Sequence, residues 1–146
     1  MDEASSATAA TAMSADSGNL RAVSPCFIVE NFGASIAYYR DRLGFEVEYQ
    51  GPADNPFFAI VRRDGVRIML KAISPAVQPQ PNHTRHKWAR LDAYVYTTDP
   101  DVLFEEFTRR GASFVTQLSF IDDGLWGFEV ADADGYVIAF ARVRND

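Results

Sequence analysis

Cysteine is nearly absent from this chain of 146 residues, and long apolar runs and an excess of basic residues are absent as well. The single cysteine, Cys26, excludes an internal disulfide and fits a reducing, cytoplasmic setting. No apolar run is long enough to span a membrane. The formal net charge of −6 argues against binding to nucleic acid, which requires clustered Lys and Arg. The charge is compatible with a cationic small-molecule partner and equally with ordinary solubility.

The first 19 residues contain no aromatic and no basic side chain and are rich in Ala, Ser and Thr. They lack the positive start and the continuous apolar stretch of a signal peptide. We therefore expect residues 1–21 to be a disordered tail. The hydrophobic content of 47% predicts a folded domain with a proper core over residues 22–146.

Within the folded part, one segment recurs seventy residues later without a gap. Residues 58–70 and 128–140 match at Phe, at Asp-Gly and at Ile. Each copy is typical of a strand, a tight Asp-Gly turn and a second strand, because this dipeptide supplies the positive φ angles of a two-residue hairpin. Asn31 and Asp99 are matching helix caps, 68 residues apart. These two spacings predict a duplicated fold.

The order of predicted elements is strand, helix, strand, strand, strand in each half. The first βαβββ module covers residues 22–73 and the second covers 88–146. Residues 74–87 form a linker that contains three prolines.

Two segments carry a resemblance to a known family. Ile36-Ala-Tyr-Tyr-Arg-Asp-Arg-Leu-Gly-Phe45 and Asp132-Ala-Asp-Gly-Tyr-Val-Ile138 resemble the first helix and the closing hairpin of the vicinal oxygen chelate superfamily. This superfamily contains glyoxalase I, extradiol dioxygenases and the bleomycin resistance proteins. The likeness covers about residues 23–144. It implies an α+β fold in which tandem βαβββ modules form a U-shaped mixed sheet, with the helices outside and the ligand inside.

The resemblance also implies where a metal would be held in the metallic members, namely at Ser24, Met69, Asp92 and Ala139 on the inner surface. Met and Ala cannot ligate a hard divalent ion, and a neutral Ser is a poor ligand. We therefore expect no metal and no other cofactor, which argues against chemistries that use a metal as Lewis acid.

The two histidines do not offer an alternative metal site. His83 and His86 lie in a Pro-rich, irregular segment, and such a pair is typical of solvated surface. Cys26 has no predicted neighbouring base, so we expect a buried, inert thiol. No catalytic residue is assigned.

Strand alternation predicts which side chains line the inside of the U. Val130, Val137 and Ala141 are among them, and the ligand-binding residues are expected to be Asp92, Tyr94, Tyr96, Trp126, Phe128, Phe58, Met69 and Arg67. Aromatic faces attract flat rings and cations, and a carboxylate completes a cation site. The same rings would equally serve to fill the sheet interior. Arg67 either pairs with Asp92 or meets an anionic group of the ligand.

These features predict a metal-free protein, similar to the bleomycin resistance group, that binds and sequesters a small, partly aromatic molecule such as a cationic antibiotic. The resemblance implies a homodimer whose ligand crevices are built by both subunits. Two alternatives stay open. One is a metal-dependent lyase, isomerase or dioxygenase of the same superfamily. The other is a metal-free enzyme with Asp92 as general base and Tyr94 or Tyr96 as proton donor.

Overall fold

The computed structural model of the protein describes residues 18–121 and 124–142. The disordered tail predicted for residues 1–21 lies almost entirely outside the described residues.

The described chain runs through the order β-α-β-β-β twice, with a short 3-10 turn, Asn82–Thr84, between the copies. The elements of the first module are β1 (Cys26–Ile28), α1 (Phe32–Arg42), β2 (Glu46–Gly51), β3 (Phe58–Arg63) and β4 (Val66–Lys71). Those of the second are β5 (Ala93–Tyr96), α2 (Pro100–Arg110), β6 (Ser113–Phe120), β7 (Trp126–Ala131) and β8 (Val137–Arg142). Neither helix is long and apolar enough to cross a membrane, and the described residues contain no other candidate.

The helix boundaries follow from the capping residues. The side chain of Asn31 accepts a hydrogen bond from the Ala34 N–H, and that of Asp99 accepts one from the Val102 N–H. Each cap satisfies a backbone donor that the first helical turn leaves free. At the other end of α2, Gly111 adopts the left-handed conformation with φ of 80°, which a glycine does without steric cost.

Each module forms its own four-stranded sheet. The strand orders are β1-β4-β3-β2 and β5-β8-β7-β6, and the first pair in each order is parallel. This confirms the α+β class and the tandem βαβββ organisation. Within one chain the strands form two sheets instead of joining into a single U, since the described residues include no strand pairing between the modules.

One apolar core joins the two modules. Each helix covers one face of its own sheet, and residues from both covered faces, such as Ile36 and Phe107, belong to the same buried cluster. Phe27 of β1 stacks on Tyr136 of the second module with ring centroids 4.3 Å apart. Because the two covered faces meet in this core, the uncovered faces are turned away from each other. We call these the first and the second open face.

The two hairpins differ by one residue, so the gapless alignment of the repeat is wrong. Six residues separate the paired Val61 and Ile68 in the first hairpin, whereas seven separate the equivalent pair Val130 and Ile138 in the second. The longer connection starts with Asp132, whose Oδ1 accepts from two backbone N–H groups of the turn. The second Asp-Gly is therefore part of a wider loop and not a two-residue turn.

Candidate functional site

The second open face is organised in two rows of side chains that cross all four strands. The strand register places Tyr94, Ala139, Glu129 and Thr116 side by side in the first row. In the second row it places Tyr96, Ala141, Gly127 and Ser119. The two tyrosine rings stack with their centroids 5.5 Å apart, and Tyr96 is 62% exposed. Tyrosines on β5 therefore border a strip of very small residues on β8.

Side chains from the flanking segments pack over this strip. Leu91, Ile121 and Leu125 form a small cluster with Ala139 and Ala141, separate from the main core. Because the alanines carry only a methyl group, the volume above them is filled by residues that precede β5 or follow β6.

Gly127 is required by the close approach of β8. A Cβ at this position would lie 2.1 Å from the Phe140 carbonyl oxygen and 2.6 Å from Ala141 Cα. No side chain fits there without movement of the backbone. The glycine that follows Trp126 is thus required by strand packing.

Trp126, Phe128 and Val130 do not lie where the alternation predicted. Phe128 is 0% exposed, and its ring packs against Phe104 and Phe107 of α2. Trp126 donates from Nε1 to Asp101 in the first turn of α2, at 2.7 Å. All three are on the covered face, because the extra residue in the second hairpin shifts β7 by one position and a one-residue slip exchanges the faces.

The same shift places Glu129 on the second open face, where the sequence interpretation had Asp92 as the acidic residue and did not include Glu129. Its side chain is fully buried, and Arg90 Nη2 donates to its Oε2. Its Oε1 has no hydrogen-bond partner, and neither does the buried Oγ1 of the neighbouring Thr116. The sequence of β7 could have predicted which side chains face outward. The large apolar members of an alternating strand belong on the covered face, which leaves Gly127 and Glu129 for the other.

The first open face carries the predicted residues of the first module. Phe58 and Met69 are half-buried there, and the Tyr49 ring lies 6.2 Å from that of Phe58. Arg67 lies on the same face but donates to Glu48 at 2.7 Å. The suggested Arg67–Asp92 pair is therefore not formed within one chain.

Asp92 has a structural role at the edge of the second sheet. Its Oδ1 accepts from the Asn82 N–H at 2.8 Å and its Oδ2 accepts from the Val137 N–H at 2.9 Å. Both carboxylate oxygens thus fix backbone, joining the linker to β8. A general base at this position would have to give up one of these bonds, which weakens the case for Asp92 as a catalytic group.

The described residues form two clefts near the predicted ligand residues. The first, of 630 Å³, lies between β1, the linker and Asp92, and Tyr136 closes one side. The second, of 590 Å³, lies between the first hairpin and the N-terminal end of α2, with Tyr96 at its edge. Neither of these two clefts collects the predicted ligand residues, because those residues belong to sheets whose open faces are turned apart.

The positions aligned with metal ligands fall into two separate pairs. Met69 donates from its N–H to the carbonyl of Pro25, next to Ser24, in the first sheet. Asp92 and Ala139 belong to the second. Among residues 18–121 and 124–142, no three His, Cys, Asp or Glu side chains are grouped as metal ligands would be.

The two histidines form separate hydrogen bonds, and the cysteine is exposed. His83 forms a 2.9 Å hydrogen bond through Nε2 with the Gly135 carbonyl, while His86 Nδ1 accepts from the Trp88 N–H. The two imidazoles therefore serve separate contacts. Cys26 is exposed in the chain, so the expectation of a buried thiol is wrong. The alternation that places it on the first open face also leaves it uncovered.

The fold and the sequence identify the class of protein. The sequence model of the Glyoxalase/Bleomycin resistance protein/Dioxygenase superfamily matches residues 21–140. The chain therefore belongs to this superfamily. No match was found among curated proteins.

Solved structures share the fold at low identity. The bleomycin-binding protein from bleomycin-producing Streptomyces verticillus, complexed with copper(II)-bleomycin, is 21% identical with a TM-score of 0.63, over 87% of this chain and 99% of that one. TioX from Micromonospora sp. ML1 is 19% identical with a TM-score of 0.60, over 83% and 98%. UcmS2 is 16% identical with a TM-score of 0.65, over 86% and 100%. At such identities the likeness shows the fold alone.

Proposed function

We propose that this protein binds a small, partly aromatic molecule and sequesters it without transforming it. The observation that carries the proposal is the stacked pair Tyr94 and Tyr96 beside Ala139 and Ala141 on the second open face. Tyrosine rings offer flat apolar surface for a ligand ring, and displacement of the side chains that pack over the alanines would make room for its edge. A solved relative of the same fold holds copper(II)-bleomycin, which supports a binding role.

The proposed binding unit is a homodimer. Each crevice would combine the first open face of one copy with the second open face of its partner, since the two faces of one chain are turned apart. The first open face offers suitable apolar surface in Phe58, Ile60, Met69 and the 53%-exposed Tyr49. Such exposed apolar patches mark interaction sites, and a twofold dimer would bury both of them twice. A lone cysteine fits a reducing setting, and this supports the cytoplasm as the proposed location of the dimer.

A thermal-shift screen over basic and neutral aromatic compounds tests the proposal. We expect at least one compound to raise the Tm of the wild-type protein and to lose this effect in Tyr94→Ala. Phe120→Ala is the matched control, because Phe120 is an exposed ring on the covered side of the same sheet. The absence of any such compound would contradict the proposal.

Sequestration leaves the bound compound chemically unchanged, whereas catalysis converts it into a product. The bound compound is released by denaturation after prolonged incubation, with and without added Mn²⁺ or Fe²⁺, and identified by mass spectrometry. Recovery of unchanged compound in every case is the expected result. Conversion that depends on the added metal would support the metal-dependent enzyme, and conversion without it would support the metal-free enzyme.

A further inference from the structure

Glu129 is the one fully buried charged side chain on the second open face among the described residues. A carboxylate can accept about four hydrogen bonds, yet only Oε2 has a partner here, the guanidinium of Arg90. Thr116, its neighbour on β6, also has a buried oxygen without a partner. Two unpaired polar oxygens on adjacent strands are uncommon in a folded interior, and each requires an explanation.

The surroundings of Glu129 suit a ligand group better than a permanent protein partner. On β8 its neighbour is Ala139, and beyond it on β5 lies Tyr94. Adjacent strands are about 4.8 Å apart, so Tyr94 and Glu129, two strands apart, are separated by about 10 Å. That span suits a bicyclic ring against the tyrosine with a basic group reaching the carboxylate.

The short segment before β5 forms part of the cover over this strip. Arg90 lies over Glu129 with part of its side chain in solvent, and the adjacent Leu91 packs over Ala139. Both residues precede β5 and lie outside any helix or strand. A displacement of this segment would move Arg90 off the carboxylate and Leu91 off the alanine strip together.

We propose that Glu129, with Thr116 beside it, anchors the basic nitrogen group of the ligand, an amidine, guanidine or amine. Arg90 holds one carboxylate oxygen until the ligand's N–H donors replace it. The inference rests on the proposed function and names the chemical class of molecule that the site prefers. Charge-assisted hydrogen bonds to a buried carboxylate provide the selectivity over a neutral ring of the same shape.

A pair of planar probes tests the anchor, namely 2-naphthamidine and the neutral 2-naphthamide. Their dissociation constants are measured by fluorescence titration with the full-length protein. We expect the wild type to bind the amidine about tenfold more tightly than the amide. Glu129→Gln should weaken the amidine about tenfold and leave the amide within about threefold. Glu105→Gln, an exposed carboxylate on α2, should change neither constant.

Substitution of Arg90 should strengthen amidine binding, whereas substitution of Glu129 should weaken it. Arg90→Met removes the internal competitor for Glu129, so the amidine should bind at least about threefold more tightly. A salt bridge that only stabilises the fold would give unchanged or weaker binding. Thr116→Val, which removes the hydroxyl at nearly constant shape, should weaken the amidine about threefold.

An NMR titration tests the anchor on the wild-type protein, without a substitution. Titration of ¹⁵N-labelled wild type with the amidine should shift the backbone amide signals of Thr116, Glu129 and Ala139 and leave that of Ala34 in place. Amide signals that do not move overturn the anchor even if Glu129→Gln fails to fold.

The outcomes separate the anchor from the proposed function. Equal binding of both probes by wild type and by Glu129→Gln rejects the anchor and leaves sequestration standing. Binding of neither probe by the wild type also rejects the anchor, while the proposed function is then decided by the thermal-shift screen.

Discussion

Tyr39 of α1 donates a 2.6 Å hydrogen bond to Asp132, the first residue of the second hairpin loop. The bond joins the helix of one module to the turn of the other. Asp134 in the same loop accepts from the Ser35 hydroxyl at 2.6 Å and from the Glu30 N–H at 2.9 Å. The longer second hairpin therefore does more than shift the register of β7. It supplies the carboxylates that hold the two modules together.

Burial raises the pKa of Asp132 to about 6 from 3.8, although the hydrogen bonds from Tyr39 and from two backbone N–H groups act in the lowering direction. The folded state thus binds this proton more tightly than the unfolded state. The resulting stabilisation is fully present below about pH 4 and is lost as the pH rises through 6. Two pKa units correspond to about 3 kcal/mol.

Asp132→Asn should remove this pH dependence. The amide oxygen can keep the two backbone N–H bonds, and the amide NH₂ can donate to Tyr39. We expect the difference in unfolding free energy between wild type and variant to change by about 3 kcal/mol between pH 4 and 7. Urea titrations at four pH values measure it. Parallel stability curves would mean that Asp132 does not titrate in this range.

Glu106 makes the folding stability depend on pH in the direction opposite to Asp132. The hydrogen bond from Arg63, 2.7 Å long and running from the first module to the second, holds the pKa of Glu106 below its usual value. The pair stabilises the fold above about pH 4.5 and is lost as the pH falls through the lowered folded pKa. Glu106→Gln should therefore reduce the unfolding free energy by about 1 kcal/mol at pH 7 and by less at pH 3.

The matched control is Glu105→Gln, the exposed neighbour on the same helix. It should change the unfolding free energy by less than about 0.5 kcal/mol at either pH. An equal loss in the two variants would assign the effect to helix charge and not to the bond with Arg63.

Gly127→Ala should be strongly destabilising. The added Cβ would lie 2.1 Å from the Phe140 carbonyl oxygen, so β7 and β8 must separate. We expect a loss of about 3 kcal/mol in unfolding free energy. Gly65→Ala is the control, since a Cβ there meets nothing within 4 Å. A normal Tm for Gly127→Ala would show that the strands can relax around a methyl group at little cost.

The sequence predicted the elements and their duplication well. Helix caps at Asn31 and Asp99 and the alternating strands depend on local chemistry, which a single sequence carries. The faces of the first sheet were correct for the same reason, with Phe58 and Met69 on the open side.

The site was less predictable because it depends on register. The repeated Phe and Asp-Gly favoured a gapless alignment, and the alignment concealed the extra residue before Val137. One residue was enough to move Phe128 into the core and Glu129 out of it. The role of Asp92 depends on backbone groups of Asn82 and Val137, and contacts between residues so far apart have no local signature.

Mixing two inactive variants tests the central claim, a crevice shared between two copies, most directly. One variant carries Met69→Lys on the first open face, and the other carries Tyr94→Ala on the second. Each homodimer should fail to bind the best compound of the screen. In a mixed dimer one of the two crevices receives both intact faces. Random exchange of subunits should therefore restore about a quarter of the wild-type binding capacity, measured by calorimetric stoichiometry. A mixture that remains inactive after demonstrated subunit exchange would contradict the shared crevice.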